Sequence, residues 1–179
     1  MVERNRMKIE KEVIGKIQKD YLFLVGKVKI NAEYFIDKIK EDVKSSKNNY
    51  ATNVVGLMTD WRYFCSDKEF IKIIYPVLDK VDKHDFIRPY ELSLAWGIAE
   101  GFGGRTIEHA HTPSVISGVL YLNDHHQDLI FPDINEKVTP EEGKIVMFSS
   151  ELKHSCDRNV TEKVKYAISF NFNELYQYT

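Results

Sequence analysis

The chain has 179 residues, 43% of them hydrophobic, and a formal net charge of -2 at pH 7. That size and apolar share suit one globular domain with a sizeable core, and the small net charge gives no overall field toward nucleic acid or an anionic membrane; a local basic groove remains open. No apolar run approaches the ~18 residues of a membrane span, and the N-terminus MVERNRMKIEKEV has no apolar signal-like stretch, so the sequence reads as a soluble, unsecreted protein.

In chain order, residues 8–19 carry a weak helical pattern through Ile9, Val13 and Ile17. Tyr21 to Ile30 reads as a strand. Asn31 is an N-cap candidate for a helix from Ala32 to about Ser45, with Phe35, Ile36, Ile39 and Val43 on one stripe, and the polar SSKNN segment ends it. Asn53 to Trp61 is strand-like. Ser66 with Glu69 forms a capping box for a helix through Phe70, Ile71, Ile74, Val77, Leu78 and Val81, which Pro76 should kink or split. From Tyr90 to Ala99 the alternation of Leu92, Leu94, Trp96 and Ile98 with smaller or polar neighbours predicts a half-buried strand, and everything beyond it reads as β. GFGGR, residues 101–105, is expected as a mobile loop at the mouth of a site. No repeat or linker argues for a second domain. The expectation is one α+β domain over residues 1–179: a support of helices and strands over 1–90 and a jelly-roll, or double-stranded β-helix, core over 91–173. The helices should cover one outer face.

Chemistry concentrates in TIEHAHTPSVISGVLYLN, residues 106–123. His109 and His111 are two apart, which puts both imidazoles on one face of a strand and lets them share a metal ion. Thr112, Pro113 and Ser114 signal a turn, and Val115 to Leu122 reads as the next strand. A third histidine, His154, follows about 43 residues after His111 in SSELKHS. Glu108 should point to the opposite strand face. The bland alternative is a set of strand histidines satisfied by hydrogen bonds, and for His125 and His126, in a polar loop, that alternative is preferred. In KVKYAISFNF, Val164, Tyr166, Ile168, Phe170 and Phe172 alternate with Lys163, Lys165, Ala167, Ser169 and Asn171. One face should pack on the helix layer and the other should line the barrel, where a lysine must find an anion; the alternative is a lysine snorkelling to the surface. Trp61 and Trp96 are read as core. Cys65 and Cys156 lie far apart and form no metal-type pair, so a reduced cytoplasmic setting is the simpler assumption, with one disulfide as the alternative.

The ordered set HAHTPSVISGVLYLN, HHQDLIF, PEEGKIVMFSSELKHS and KVKYAISFNF, spanning roughly residues 92–173, resembles the Fe(II)/2-oxoglutarate-dependent oxygenases. Within them it is similar to an uncharacterised, often phage-encoded group near the prolyl-hydroxylase branch. The resemblance implies the double-stranded β-helix fold and an enzyme that uses Fe(II), 2-oxoglutarate and O₂ to hydroxylate a substrate, releasing succinate and CO₂. For a phage-encoded member the setting is the host cytoplasm. This chain has His-x-His where the family usually has His-x-Asp, so the implied ligand set is His109, His111 and His154. Lys165 matches the basic residue that pairs with the distal carboxylate of 2-oxoglutarate, and Tyr121 matches a tyrosine that donates to the same group in part of the family. Arg158 and Arg105 are further anion-binding candidates. Two other readings stay open: a cupin-like three-histidine dioxygenase without an oxoacid, and a metal-stabilised jelly roll without turnover. The primary substrate is not named by the sequence, and no basic stripe with interleaved aromatics points to nucleic acid.

Overall fold

The computed structural model describes residues 20–45, 52–81 and 89–175. Its elements run β1 (Phe23–Lys27), α1 (Ala32–Ser45), β2 (Val54–Val55), β3 (Leu57–Met58), α2 (Lys68–Val81), β4 (Tyr90–Glu100), β5 (Arg105–His109) and β6 (Ile116–Tyr121). They continue through β7 (Leu129–Phe131), β8 (Glu136–Val138), β9 (Lys144–Ser149), β10 (His154–Cys156) and β11 (Lys165–Glu174). The helical pattern over residues 8–19 lies outside the described residues.

The strands form two sheets. The major sheet has the order β1-β9-β6-β11-β4-β3, and the minor sheet β2-β5-β10-β7-β8. Every pairing is antiparallel. Period-two alternation divides the major sheet between two cores. Ile116, Leu120, Ile145, Met147, Ile168 and Phe170 face outward, where α1 and α2 cover them with Phe35, Ile39, Phe70 and Ile74. Val119, Tyr121, Val146, Phe148 and Ala167 face inward against Leu129, Phe131 and Cys156 of the minor sheet. This is the double-stranded β-helix with helices on one face that the sequence predicts. At Gly97 a Cβ would come 2.4 Å from the Ile39 side chain, so the missing side chain is what lets α1 lie this close to β4.

Four local expectations are corrected. The run Asn53 to Trp61 is not one strand: it breaks at Gly56, whose Cβ would stand 2.9 Å from the Ala99 carbonyl, so that β2 joins the minor sheet and β3 the major one. Helix α2 is capped by Asp67 rather than Ser66, the Asp67 carboxylate accepting from the backbone N–H groups of Glu69 and Phe70 at 3.0 Å. Pro76 does not end α2. It sits on the exposed side of the helix, where the carbonyl one turn earlier can turn to water. Strand β4 is buried on both faces from Ala95 to Glu100, because helices cover one face and the second sheet the other. A register shift at Asn171/Phe172 leaves Ser93 unpaired and turns Leu92 to the helix side, away from Leu94.

Candidate active site

Between the sheets runs a cavity whose two ends are built by two cross-strand pairs. At one end, His109 and His154 are register partners on β5 and β10 of the minor sheet. His111 lies two residues past the end of β5, held extended by its backbone N–H donating to the Ser150 carbonyl at 2.8 Å. The Thr112, Pro113, Ser114 turn follows, with a cis Thr112–Pro113 bond. The three imidazole centroids are 4.5 to 5.0 Å apart. One ring nitrogen from each lies within 4.8 Å of the others, close enough for one ion to collect all three.

Local hydrogen bonds set the tautomers. His109 Nδ1 is 2.8 Å from the Ile107 carbonyl and His154 Nδ1 is 3.1 Å from the Leu152 carbonyl. A carbonyl can only accept, so each Nδ1 carries the proton and each Nε2 keeps its lone pair, the usual outer support of a metal-binding histidine. Burial lowers the pKa of all three: His111 falls to about 3 and His154 to about 4, with repulsion from the neighbouring imidazoles adding to burial, and His109 is lowered mainly by burial. All three are neutral at pH 7, the state metal binding needs. Phe148, Phe131 and Trp96 wall the cluster, with Phe148 4.8 Å from the His154 ring and Trp96 5.9 Å from that of His111. Among the described residues the cluster includes no carboxylate, and Glu108 is exposed, as expected.

The other end is built by Lys165 and Glu100, register partners on β11 and β4 of the major sheet. Lys165 Nζ stands 2.5 Å from Glu100 Oε2. Both residues are buried, with 3% and 0% exposure. Thr106 on β5 donates to Glu100 Oε1 at 2.8 Å, tying the minor sheet to the major one. Strict alternation would turn Thr106 away from the His109 face, but a register shift opposite His154/Cys156 brings it round. Burial pushes the Lys165 pKa down, and Cys156 and Glu100 beside it more than offset this and leave it raised. Burial pushes up the Cys156 thiol and the Tyr121 phenol, so both keep their protons at neutral pH. Tyr121, Cys156, Ala167 and Ser169 line the same cavity.

Lys165 and Tyr121 therefore meet the three histidines around one space. Arg158 does not join them: it is exposed and absent from the cavity wall, and Arg105, half-buried, is absent from it too. His125 is satisfied within its loop, its Nε2 facing the Lys163 carbonyl at 3.1 Å and its Nδ1 accepting from the Gln127 N–H at 3.2 Å. The GFGGR segment is tied down by Gly103 N–H to Asn159 carbonyl and Asn159 N–H to Gly104 carbonyl bonds of 2.8 and 2.7 Å, and it lines a separate surface recess. Both cysteines are free thiols. The residue that sequence reasoning missed is Glu100. Its signal was parity, since it continues the inward series Trp96, Ile98 on β4.

Fold and site together define a double-stranded β-helix with a three-histidine, metal-type centre. The sequence matches no protein-family model and no curated protein. Among solved structures, the chain is similar to a prolyl-4-hydroxylase from Pseudomonas putida, with a TM-score of 0.66 and 14% identity over 86% of this chain and 93% of that one. It is also similar to the viral collagen prolyl hydroxylase of Paramecium bursaria Chlorella virus-1 in complex with 2-oxoglutarate, with a TM-score of 0.62 and 16% identity over 87% of this chain and 97% of that one. A third is HygX from Streptomyces hygroscopicus with nickel and 2-oxoglutarate bound, with a TM-score of 0.61 and 11% identity over 84% and 82% of the two chains. The chain thus has the jelly-roll fold of the 2-oxoglutarate-dependent oxygenases.

Proposed function

We propose that the protein is a non-haem Fe(II)- and 2-oxoglutarate-dependent oxygenase that hydroxylates a substrate not yet identified. The observation that carries this reading is the meeting, in one cavity, of three neutral imidazoles and a buried lysine. His109, His111 and His154 would hold the iron, an arrangement that leaves positions open for a bidentate oxoacid and O₂. When bound, iron with 2-oxoglutarate and O₂ supplies the oxidising chemistry, and succinate and CO₂ are the co-products. Lys165 would hold the distal carboxylate and Tyr121 would donate to it. Arg158, on the exposed surface, has no direct role in this reading. Ile98, Val119, Leu129 and Phe148 form apolar walls of the same cavity, which would shield the reacting groups from water. Structures of similar fold that were determined with 2-oxoglutarate, or with nickel and 2-oxoglutarate, support the choice of cosubstrate.

No helix among the described residues is long and apolar enough to cross a membrane. With two free thiols, that is in keeping with the cytoplasmic setting we propose.

One observation favours a second reading. Lys165 already has a carboxylate partner in Glu100, which suits a three-histidine dioxygenase that uses no oxoacid. Succinate release separates the two. The iron-loaded protein should convert 2-oxoglutarate to succinate in an O₂-dependent reaction, slowly even without primary substrate. Oxygen consumption or metal binding without any succinate would support the second reading instead.

A further inference from the structure

Among the described residues, with the histidines neutral, Lys165 and Glu100 are the only charged side chains lining the cavity, and they neutralise each other there. A 2-oxoglutarate molecule reaching Lys165 brings a second carboxylate to a single ammonium. Among the described residues the pocket has no other cation to offer it, because Arg105 and Arg158 lie outside the lining. Glu100 is also fixed on its far side by the Thr106 hydroxyl.

We infer that Glu100 competes with the distal carboxylate of the oxoacid for Lys165, and is thereby the residue that sets the affinity and selectivity of the cosubstrate site. The inference rests on the 2-oxoglutarate reading above. Binding must loosen the Lys165–Glu100 contact, so the gain from a distal carboxylate is largely cancelled by the loss of the internal ion pair. An oxoacid with an uncharged tail leaves the pair in place. The site should therefore discriminate poorly between 2-oxoglutarate and 2-oxovalerate, which has a methyl group where 2-oxoglutarate has its distal carboxylate. Glu100→Gln keeps the shape and can still accept from Thr106, but frees Lys165 for the ligand.

The test is anaerobic calorimetric titration of iron-loaded protein, as isolated and as E100Q, with each of the two oxoacids. E100Q should bind 2-oxoglutarate about tenfold to a hundredfold more tightly than the unmutated protein, the reach of one charge-assisted hydrogen bond, while 2-oxovalerate affinity changes little. Equal or weaker 2-oxoglutarate binding by folded E100Q overturns the inference and leaves the oxoacid site standing. The unmutated protein gives an arm that does not depend on the variant folding: a preference for 2-oxoglutarate over 2-oxovalerate of about a hundredfold means Lys165 is fully available to the ligand, and also overturns it. Binding of neither oxoacid to any iron-loaded form removes the site itself, and with it both this inference and the reading it rests on.

Discussion

His109 and His154 face each other as register partners across β5 and β10, with ring centroids 4.5 Å apart. The backbone ladder pairs them there, and both Nδ1 atoms are engaged by backbone carbonyls. Strand register and backbone hydrogen bonds thus set the positions and tautomers of two of the three proposed metal ligands.

It follows that alanine at His109, His111 or His154 should abolish stoichiometric Fe(II) binding while leaving the fold intact, because the two cores are apolar and independent of the ion. Metal content after anaerobic loading and desalting, with circular dichroism as the fold check, measures this. His111→Asp should retain iron, since a carboxylate at that position is an equally good hard ligand. Full metal binding by His111→Ala would remove His111 from the ligand set.

Acid should destabilise the metal-free protein. Burial lowers the imidazole of His111 from 6.5 to about 3 and that of His154 to about 4. Above pH 6.5 these groups are neutral in both folded and unfolded chains. Below it, the unfolded chain takes up protons that the folded chain refuses, so stability falls as the pH drops from 6.5 toward 4 and flattens below the folded values. Urea midpoints measured across this range should show the slope, and His111→Asn should make it shallower. An unchanged slope in that variant would mean the acid sensitivity lies elsewhere.

Much of this was legible in the chain because strand parity is a strong signal. The spacing of His109 and His111, the alternation along 164–172 and the stripe Phe35, Ile36, Ile39, Val43 each survive into the structure. What failed were features settled by long-range contacts. Asp67 outcompetes Ser66 as a cap because Lys38 Nζ and Tyr34 Oη also donate to it, at 2.6 and 2.9 Å. Gly56 splits a strand because two sheets compete for the same segment. Lys165 was expected to need an anion, and it does, but its partner comes from β4 by register pairing that no local pattern displays.

Lys165→Ala should carry two costs. It removes the cation proposed for the distal carboxylate, and it leaves the fully buried Glu100 carboxylate without its countercharge, with only the Thr106 hydroxyl donating to it, a change worth roughly 3 to 5 kcal/mol of stability. Pairing it with Glu100→Gln should recover much of that loss without the tighter 2-oxoglutarate binding expected of Glu100→Gln alone. Denaturant unfolding of the single and double variants checks the first part. Equal stability in Lys165→Ala and the unmutated protein would mean that the pair contributes nothing to the fold.

Asp67 joins the two helices, capping α2 while accepting from Lys38 and Tyr34 of α1. Lys38 is raised to about 12 chiefly by this carboxylate. Asp67→Ala should cost roughly 2 to 3 kcal/mol, combining a lost cap with lost charge-assisted bonds. Asp67→Asn, which can still cap, should cost less. If both variants unfold at the same denaturant concentration as the unmutated protein, the helix layer does not depend on this residue.

The central claim, that three histidines and Lys165 form one site for iron and an oxoacid, is tested most directly by titrating the Fe(II)-loaded protein with 2-oxoglutarate under anaerobic conditions. The signal is the visible metal-to-ligand charge-transfer absorption. The account predicts a saturable band at one equivalent of iron, absent in His111→Ala and requiring much more 2-oxoglutarate in Lys165→Ala. Iron bound at one equivalent with no band at any 2-oxoglutarate concentration would contradict it.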